Sequence, residues 1–366
     1  MSYMNLGGLA YRLRTTRSVK SFAKHFLLPT MAGQKIFLHN ERLPRVINLS
    51  FNEKTCFYKC RMCLYSERDV RDHYREQSEM RFETLRRIVD SIPDDPFHSF
   101  DISAVGETLE FGKLAEFVAY MKRKRPLVNT IVSTNGVLLD EKTFLALAHA
   151  GLDNLQVSFF AENAEDHEFI TGTKTFERVA ENLERACRLK RQLGLPKPFI
   201  QTFVLESRET APTTQRFVDR WSPLVDKAFV RPLLKRSMDI QGMTPTYEFE
   251  PEGPRRPCMQ PWYSTALNSK GEVLPCYGFH WHETTWQTNF GNINDASLTE
   301  IWRTDAFRAF REKHLRLDLD DLPVCRKCSS WNDYTDIWAR NPDGSWRPAP
   351  LRPVDFLRRA PGQRGG

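Results

Sequence analysis

No stretch of the chain approaches the roughly 18 consecutive apolar residues that a membrane-crossing helix requires, so a helical membrane span is excluded. No N-terminal apolar run leads to a small-residue cleavage site either, and the expected compartment is the cytoplasm. Acidic residues are scarce at the start: up to residue 45, Glu41 alone faces Arg12, Arg14, Arg17, Lys20, Lys24, Lys35, Arg42 and Arg45. The formal net charge of +7 over 366 residues therefore sits entirely in that leader. There Val19, Phe22, Ala23 and Phe26 recur at helical spacing opposite Arg17, Lys20 and Lys24, which predicts an amphipathic helix packed on the rest with its basic face in water. Aromatic residues are not interleaved with the charges as a single-strand groove would need, so a zinc-stabilised nucleic-acid-binding protein is only a remote alternative. Without a secretory signal, eight cysteines are not a disulfide scaffold and point to metal or redox chemistry.

The rest of the chain has enough apolar content, 40%, to bury a large core. Strand-like runs at 45–51, 98–104, 128–133, 154–160, 198–205 and 227–233 alternate with helical patterns at 80–93, 111–124, 140–150, 175–193 and 211–221. Such alternation implies parallel strands joined by right-handed crossovers, an α/β fold in the form of a partial (β/α)6 TIM-like barrel spanning 45–235. Chemistry in these folds collects at the C-terminal ends of the strands. Residues 1–44 form the leader and 236–257, rich in Pro and Gly, a linker. A small second unit covers 258–330, and 331–366 is a surface tail.

The loop after the first strand, NEKTCFYKCRMCLYS, sets Cys56, Cys60 and Cys63 at C-x3-C-x2-C. Three thiolates this close can converge on one centre. A structural zinc would want a fourth ligand, which the loop lacks. An iron-sulfur cluster with three thiolates keeps one iron open. The second unit places Cys258 and Cys276 on either side of a hairpin with its turn at Ser269-Lys270-Gly271, followed by a helix and the pair Cys325 and Cys328. Four thiolates satisfy zinc or iron equally, so the residues by themselves leave the quartet's metal open.

The triplet, in the loop after the first strand of a β/α series, resembles the signature of the radical S-adenosylmethionine (radical SAM) superfamily. The resemblance implies a 4Fe-4S cluster on Cys56, Cys60 and Cys63 whose open iron binds SAM, giving a 5'-deoxyadenosyl radical that abstracts hydrogen from substrate. AVGETLE resembles that family's Gly-Gly-Glu-Pro segment, with Val105 and Thr108 replacing its first Gly and its Pro, and marks Gly106 and Glu107 as SAM contacts. STNG and VSFF, ending the third and fourth strands, resemble positions that touch SAM through Ser133, Asn135 and Ser158. Cys258, Gly271, Cys276, Gly291-Asn292-Ile293, Leu298 to Trp302 and Cys325-x2-Cys328 resemble the C-terminal SPASM or twitch extension. A full SPASM domain carries seven cysteines and two clusters. Four here imply one auxiliary 4Fe-4S cluster with complete ligation.

A fully ligated auxiliary cluster suits electron transfer from a substrate radical. The resemblance to twitch-bearing dehydrogenases of aminoglycoside biosynthesis then implies oxidation of a secondary alcohol on a sugar- or cyclitol-like small molecule, with a flavodoxin- or ferredoxin-type electron donor. Epimerisation, needing a hydrogen donor such as Cys187, and peptide modification are alternatives. The leader is short for an added peptide-recognition domain, and Cys187 falls on an apolar helical face with Phe176, Val179, Ala180 and Leu183, where a core role is expected. His280 and His282, after Cys276, are candidate proton acceptors, and Arg231 at the end of the sixth strand a candidate anion clamp. His167 precedes Thr171-Gly172 where the family pattern has an Arg at the Thr, and carries no expected role of its own. Trp262, Trp286 and Trp302 are expected in the core, and Trp281 stands between the two histidines.

Overall fold

A computed structural model describes residues 43–75, 79–103, 105–233, 242–246, 254–280, 288–331 and 338–348. The leader helix, Trp281, His282 and Trp286, and most of the linker and tail, lie outside the described residues, as does the side chain of His280.

The six expected strands are present: β1 Val46–Leu49, β2 Ser99–Ile102, β3 Asn129–Thr134, β4 Asn154–Phe160, β5 Phe199–Glu206 and β6 Lys227–Pro232. Each pairs in parallel with the next. The crossovers contain α1 Arg68–Arg75 and α2 Phe82–Asp90, then α3 Leu114–Lys124, α4 Glu141–His149, α5 Ala164–Thr171, α6 Phe176–Gln192 and α7 Thr214–Trp221. Helix starts follow local chemistry. Asp140 caps α4 by accepting from Thr143 N at 2.7 Å, and Asn163 caps α5 by accepting from Asp166 N at 2.8 Å.

Strand alternation divides the fold into two layers. In β3 and β4, Thr130, Val132, Leu155, Val157 and Phe159 are buried towards the helices. Ser133 and Gln156, at the intervening positions, line an inner cavity. The outward set joins Phe117, Phe144, Phe217 and Trp221 in one core. Fully burying side chains of this size contributes about 1.5–3 kcal/mol each before the entropy cost. The polar inward set leaves the lumen unfilled.

The second unit is stitched to the barrel's own sheet, which the chain pattern did not foretell. After α8 Gln260–Tyr263, strand β7 Ser264–Leu267 lies parallel to β1 with Ile47 opposite Thr265, and β8 Val273–Leu274 returns antiparallel. The eight strands run β6-β5-β4-β3-β2-β1-β7-β8. Asn48 Nδ2 donates to Thr265 O at 2.9 Å across this join. The expected hairpin turn is confirmed: Gly271 takes φ +84°, and a Cβ there would meet Ile293, Asn294 and Thr84 below 3 Å. Helices α9 Leu298–Trp302, α10 Asp305–Arg316 and α11 Pro323–Lys327 follow, then the hairpin of β9 Trp338–Arg340 and β10 Trp346–Pro348. A capping box between Ser297 and Glu300 starts α9. Trp262 and Trp302 are core residues as expected.

Candidate active site

The triplet loop is held by backbone rather than by its own cysteines. Lys59 N and Arg61 N donate to Thr171 O and Ile170 O at 2.8 and 2.9 Å, tying the loop to the end of α5. Arg71, on α1, reaches under the loop and donates to Tyr58 O at 2.5 Å and to Tyr65 O at 2.9 Å. Tyr58 bonds His167 Nε2 at 3.2 Å and Thr175 Oγ1 at 2.9 Å. His167 is fully buried, and that burial pushes its pKa down to about 4, so it is a neutral strut beneath the loop.

Gly106 takes φ +77°, and a Cβ there would stand 2.8 Å from both Asn52 O and Thr55 O. Only glycine lets the β2 loop press against the cysteine loop, where Glu107 N donates to Thr55 O at 2.8 Å. The Glu107 carboxylate faces elsewhere. It accepts from Thr134 Oγ1 at 2.5 Å, Asn135 N at 2.8 Å and Leu109 N at 3.0 Å, bracing the end of β2 against the end of β3. Burial raises its pKa. Of the predicted SAM contacts, Gly106 and Ser133 line the lumen cavity. Asn135 is buried, its Oδ1 accepting from Val137 N and its Nδ2 without a partner among the described residues, and Ser158 follows Gln156 on the same face of β4.

The cavity is about 700 Å³ and runs between the two cysteine groups. Cys63 lies on its wall at one end, and Cys258, Cys276, Cys325 and Cys328 at the other. The quartet is assembled from Cys258 two residues before α8, Cys276 two residues after β8, Cys325 in the middle of α11 and Cys328 just past its end. Arg255 ties it together, donating to Cys325 O at 2.5 Å and Arg326 O at 2.8 Å. None of these cysteines is in a disulfide. Burial pushes the Cys56 and Cys276 thiols up to about 12 and raises Cys60, Cys63, Cys258 and Cys325 as well, with neighbouring cysteines adding to the rise within each group. Thiols in this state need a cation to become ligands.

Among the described residues, no group of three or more His, Cys, Asp and Glu is arranged to hold a single metal ion. All four quartet cysteines lie on the wall of the cavity. Among the described residues, both ring nitrogens of His314 and Nε of Arg255, which line the same cavity, are buried without partners. Soft donors around a void, with unmet hydrogen-bond groups at its edge, fit an iron-sulfur group. The unpartnered Asn135 Nδ2 beside the Gly106 turn equally fits a polar ligand at the triplet.

Arg231 is exposed at the open side of the cavity, its guanidinium 3.7 Å from the Phe203 ring centre and its Nη2 3.3 Å from Gln156 Oε1. Gln156 Nε2 in turn donates to Ser133 Oγ at 3.2 Å, and Gln201 Nε2 to Gln156 Oε1 at 3.2 Å. This polar row crosses β3 to β6, and period-two polarity in the strands was the signal that could have found it. Cys187 is in the core, as expected, and borders a separate cleft of about 300 Å³ that shares no residue with the cavity. A hydrogen-donor role for it has no support in this placement. Glu53, absent from the sequence reading, is buried and accepts from Ser269 Oγ at 2.6 Å, joining the triplet loop to the hairpin of the second unit.

Residues 54–195 match the radical SAM superfamily, and residues 258–329 match SPASM, an iron-sulfur cluster-binding domain; together they cover more than half of the chain. The chain is 28% identical over 260 residues to the PqqA peptide cyclase of Gluconobacter oxydans, covering 61% of this chain and 67% of that protein. It is 22% identical over 317 residues to the tungsten-containing aldehyde ferredoxin oxidoreductase cofactor-modifying protein of Pyrococcus furiosus, covering 75% and 84%. The structure of Streptococcus suis SuiB bound to S-adenosylmethionine superposes with a TM-score of 0.57 at 14% identity, over 89% of this chain and 81% of SuiB, a likeness of fold. The two matched domains imply SAM and a 4Fe-4S cluster for the first and auxiliary iron-sulfur for the second. The chain belongs to the radical SAM superfamily and carries a C-terminal SPASM domain.

Proposed function

We propose that this enzyme removes hydrogen from a peptide segment lying across the cavity, with Cys56, Cys60 and Cys63 holding the SAM-binding cluster and Cys258, Cys276, Cys325 and Cys328 an auxiliary one. The observation that carries this reading is that Cys63 of the triplet and all four quartet cysteines line one cavity, crossed by the row Ser133, Gln156, Gln201 and Arg231. Bound at the triplet, SAM supplies on reductive cleavage the radical that takes a hydrogen atom.

The residues of the chain then have separable tasks. Arg71, His167 and Tyr58 fix the loop from below, while the Gly106 turn and the Glu107 brace shape the floor beside it. The amide side chains of Gln156 and Gln201 offer donors and acceptors matched to a peptide backbone, and Arg231 offers a cation at the rim for a carboxylate. The quartet cysteines would hold an iron-sulfur group able to accept the second electron, in which case the net change would be an oxidation. A flavodoxin- or ferredoxin-type protein is the proposed electron source. The peptide replaces the sugar or cyclitol expected from the short second unit, because a curated relative is a peptide cyclase.

The test is incubation of anaerobically purified protein with SAM, dithionite and the short peptides encoded beside its gene. Mass spectrometry is expected to show a peptide lighter by two hydrogens, formed together with 5'-deoxyadenosine. Unchanged peptides alongside a new carbonyl on a supplied cyclitol would overturn the reading in favour of alcohol oxidation.

A further inference from the structure

Helix α10 presents Phe307, Phe310, Arg311 and His314 to the interior, a spacing of one helical face. Three of the four are accounted for. Phe307 is in the main core, Phe310 packs with Cys325 and Cys276, and Arg311 donates to Pro261 O at 2.9 Å. His314 is not. It is 2% exposed, its ring lies against Phe310 with centroids 4.9 Å apart, and among the described residues neither ring nitrogen has a hydrogen-bond partner. Leaving a buried donor unmet costs about 1–3 kcal/mol, so an unsatisfied group of this kind asks for a partner.

The void that His314 borders is the cavity with Cys258, Cys276, Cys325 and Cys328 on its wall. Arg255 borders it too. Two of its nitrogens hold the backbone of α11, and its remaining one, Nε, is buried without a partner. Two unmet donors therefore stand beside the same four thiols.

We infer that His314 donates a hydrogen bond to the iron-sulfur group held by the cysteine quartet, with Arg255 Nε as a second donor, and that the pair sets that group's reduction potential. The inference rests on the quartet binding a cluster. An imidazole carries at least one N–H in either protonation state, so His314 has a donor to give. Four cysteines complete the cluster's ligation, which leaves His314 a positioning residue outside it. Donors to cluster sulfur stabilise the extra negative charge of the reduced state and so raise the potential.

The experiment uses the full-length protein carrying Cys56→Ala, Cys60→Ala and Cys63→Ala, so that only the quartet can hold iron. His314→Phe, which keeps a ring against Phe310 but no N–H, is expected to retain its iron while the midpoint potential in a dye-mediated titration followed by electron paramagnetic resonance moves to more negative values. His314→Gln, which restores an N–H, is expected to recover part of the shift. Pulsed resonance on deuterium-exchanged samples is expected to show a weakly coupled exchangeable proton that His314→Phe loses.

An unchanged potential with iron retained would overturn the inference, as would a nitrogen coupling of the size of direct ligation. Absence of iron in the triplet variant before His314 is touched would overturn the cluster reading itself, and the two failures are thereby distinguished. If His314→Phe does not fold, Arg255→Lys, which keeps the charge but removes Nε, is expected to shift the potential the same way, and no shift there counts against the inference.

Discussion

The two cysteine groups are built in opposite ways. The triplet occupies one loop, from Cys56 to Cys63, and its shape is imposed by hydrogen bonds from α5, α1 and the Gly106 turn. The quartet draws on positions 258 to 328, and its members come together only when α8, β8 and α11 have packed. In both, an arginine donates to backbone carbonyls of the cysteine segment, Arg71 to Tyr58 and Tyr65, Arg255 to Cys325 and Arg326. The difference is where folding free energy enters. A preformed loop can lose its metal and keep its shape, whereas a site closed by distant segments is partly held by what it binds.

The largest expected effect sharpens this contrast. Replacing Cys56, Cys60 and Cys63 by alanine is expected to abolish 5'-deoxyadenosine formation on a chromatographic assay and to lower iron from about eight per chain to about four. Its thermal midpoint should stay near that of the parent. Cys258→Ala or Cys325→Ala is expected to lower the midpoint clearly more, and an equal loss from both groups would break the comparison.

Next is the wall of the triplet site. Gly106→Ala would place a Cβ 2.8 Å from two carbonyl oxygens at φ +77°. It should cost about 1–3 kcal/mol in urea unfolding and weaken SAM binding measured by calorimetry. A variant with wild-type affinity and stability would show that the loop is not pressed against this turn.

A third prediction concerns the link between the regions. Glu53 sits in the triplet loop and its carboxylate accepts from Ser269 of the hairpin, with burial raising its pKa from 4.5 to about 7. A carboxyl whose folded pKa is raised stabilises the fold below pH 4.5, and that stability is lost as the pH climbs through about 7. Urea unfolding across this window should show the decline, and Glu53→Gln should flatten it. An identical slope in the variant would remove Glu53 as the titrating link.

An effect similar to that of the Gly106 variant is expected at Glu107. Glu107→Gln turns one of its acceptor atoms into a donor facing an N–H or hydroxyl, so the brace between β2 and β3 loosens by about 1–3 kcal/mol. If SAM affinity falls more than stability does, the carboxylate contacts SAM in addition to bracing the strands.

The six strands, their parallel order and the triplet were legible in the chain because each depends on local pattern: period-two or helical apolar spacing, and three cysteines in one loop. The hairpin turn at Gly271 and the core position of Cys187 were legible for the same reason. The bonds of Glu107 to Thr134 and Asn135 of the next strand were not, since nothing in AVGETLE signals them. Nor were Glu53 and His314, ordinary residues whose importance comes from neighbours some 200 and 60 positions away.

By itself the sequence determined the fold class, the triplet and the family likeness, since apolar periodicity and short cysteine spacing survive any arrangement of the segments. Only the tertiary structure decided that β7 continues the barrel sheet beside β1, and that Cys63 and the quartet line one cavity. Only it decided, too, which buried polar groups are left seeking a partner. Those are outcomes of long-range pairing, in which hydrogen bonds and burial are settled between residues that no local pattern relates.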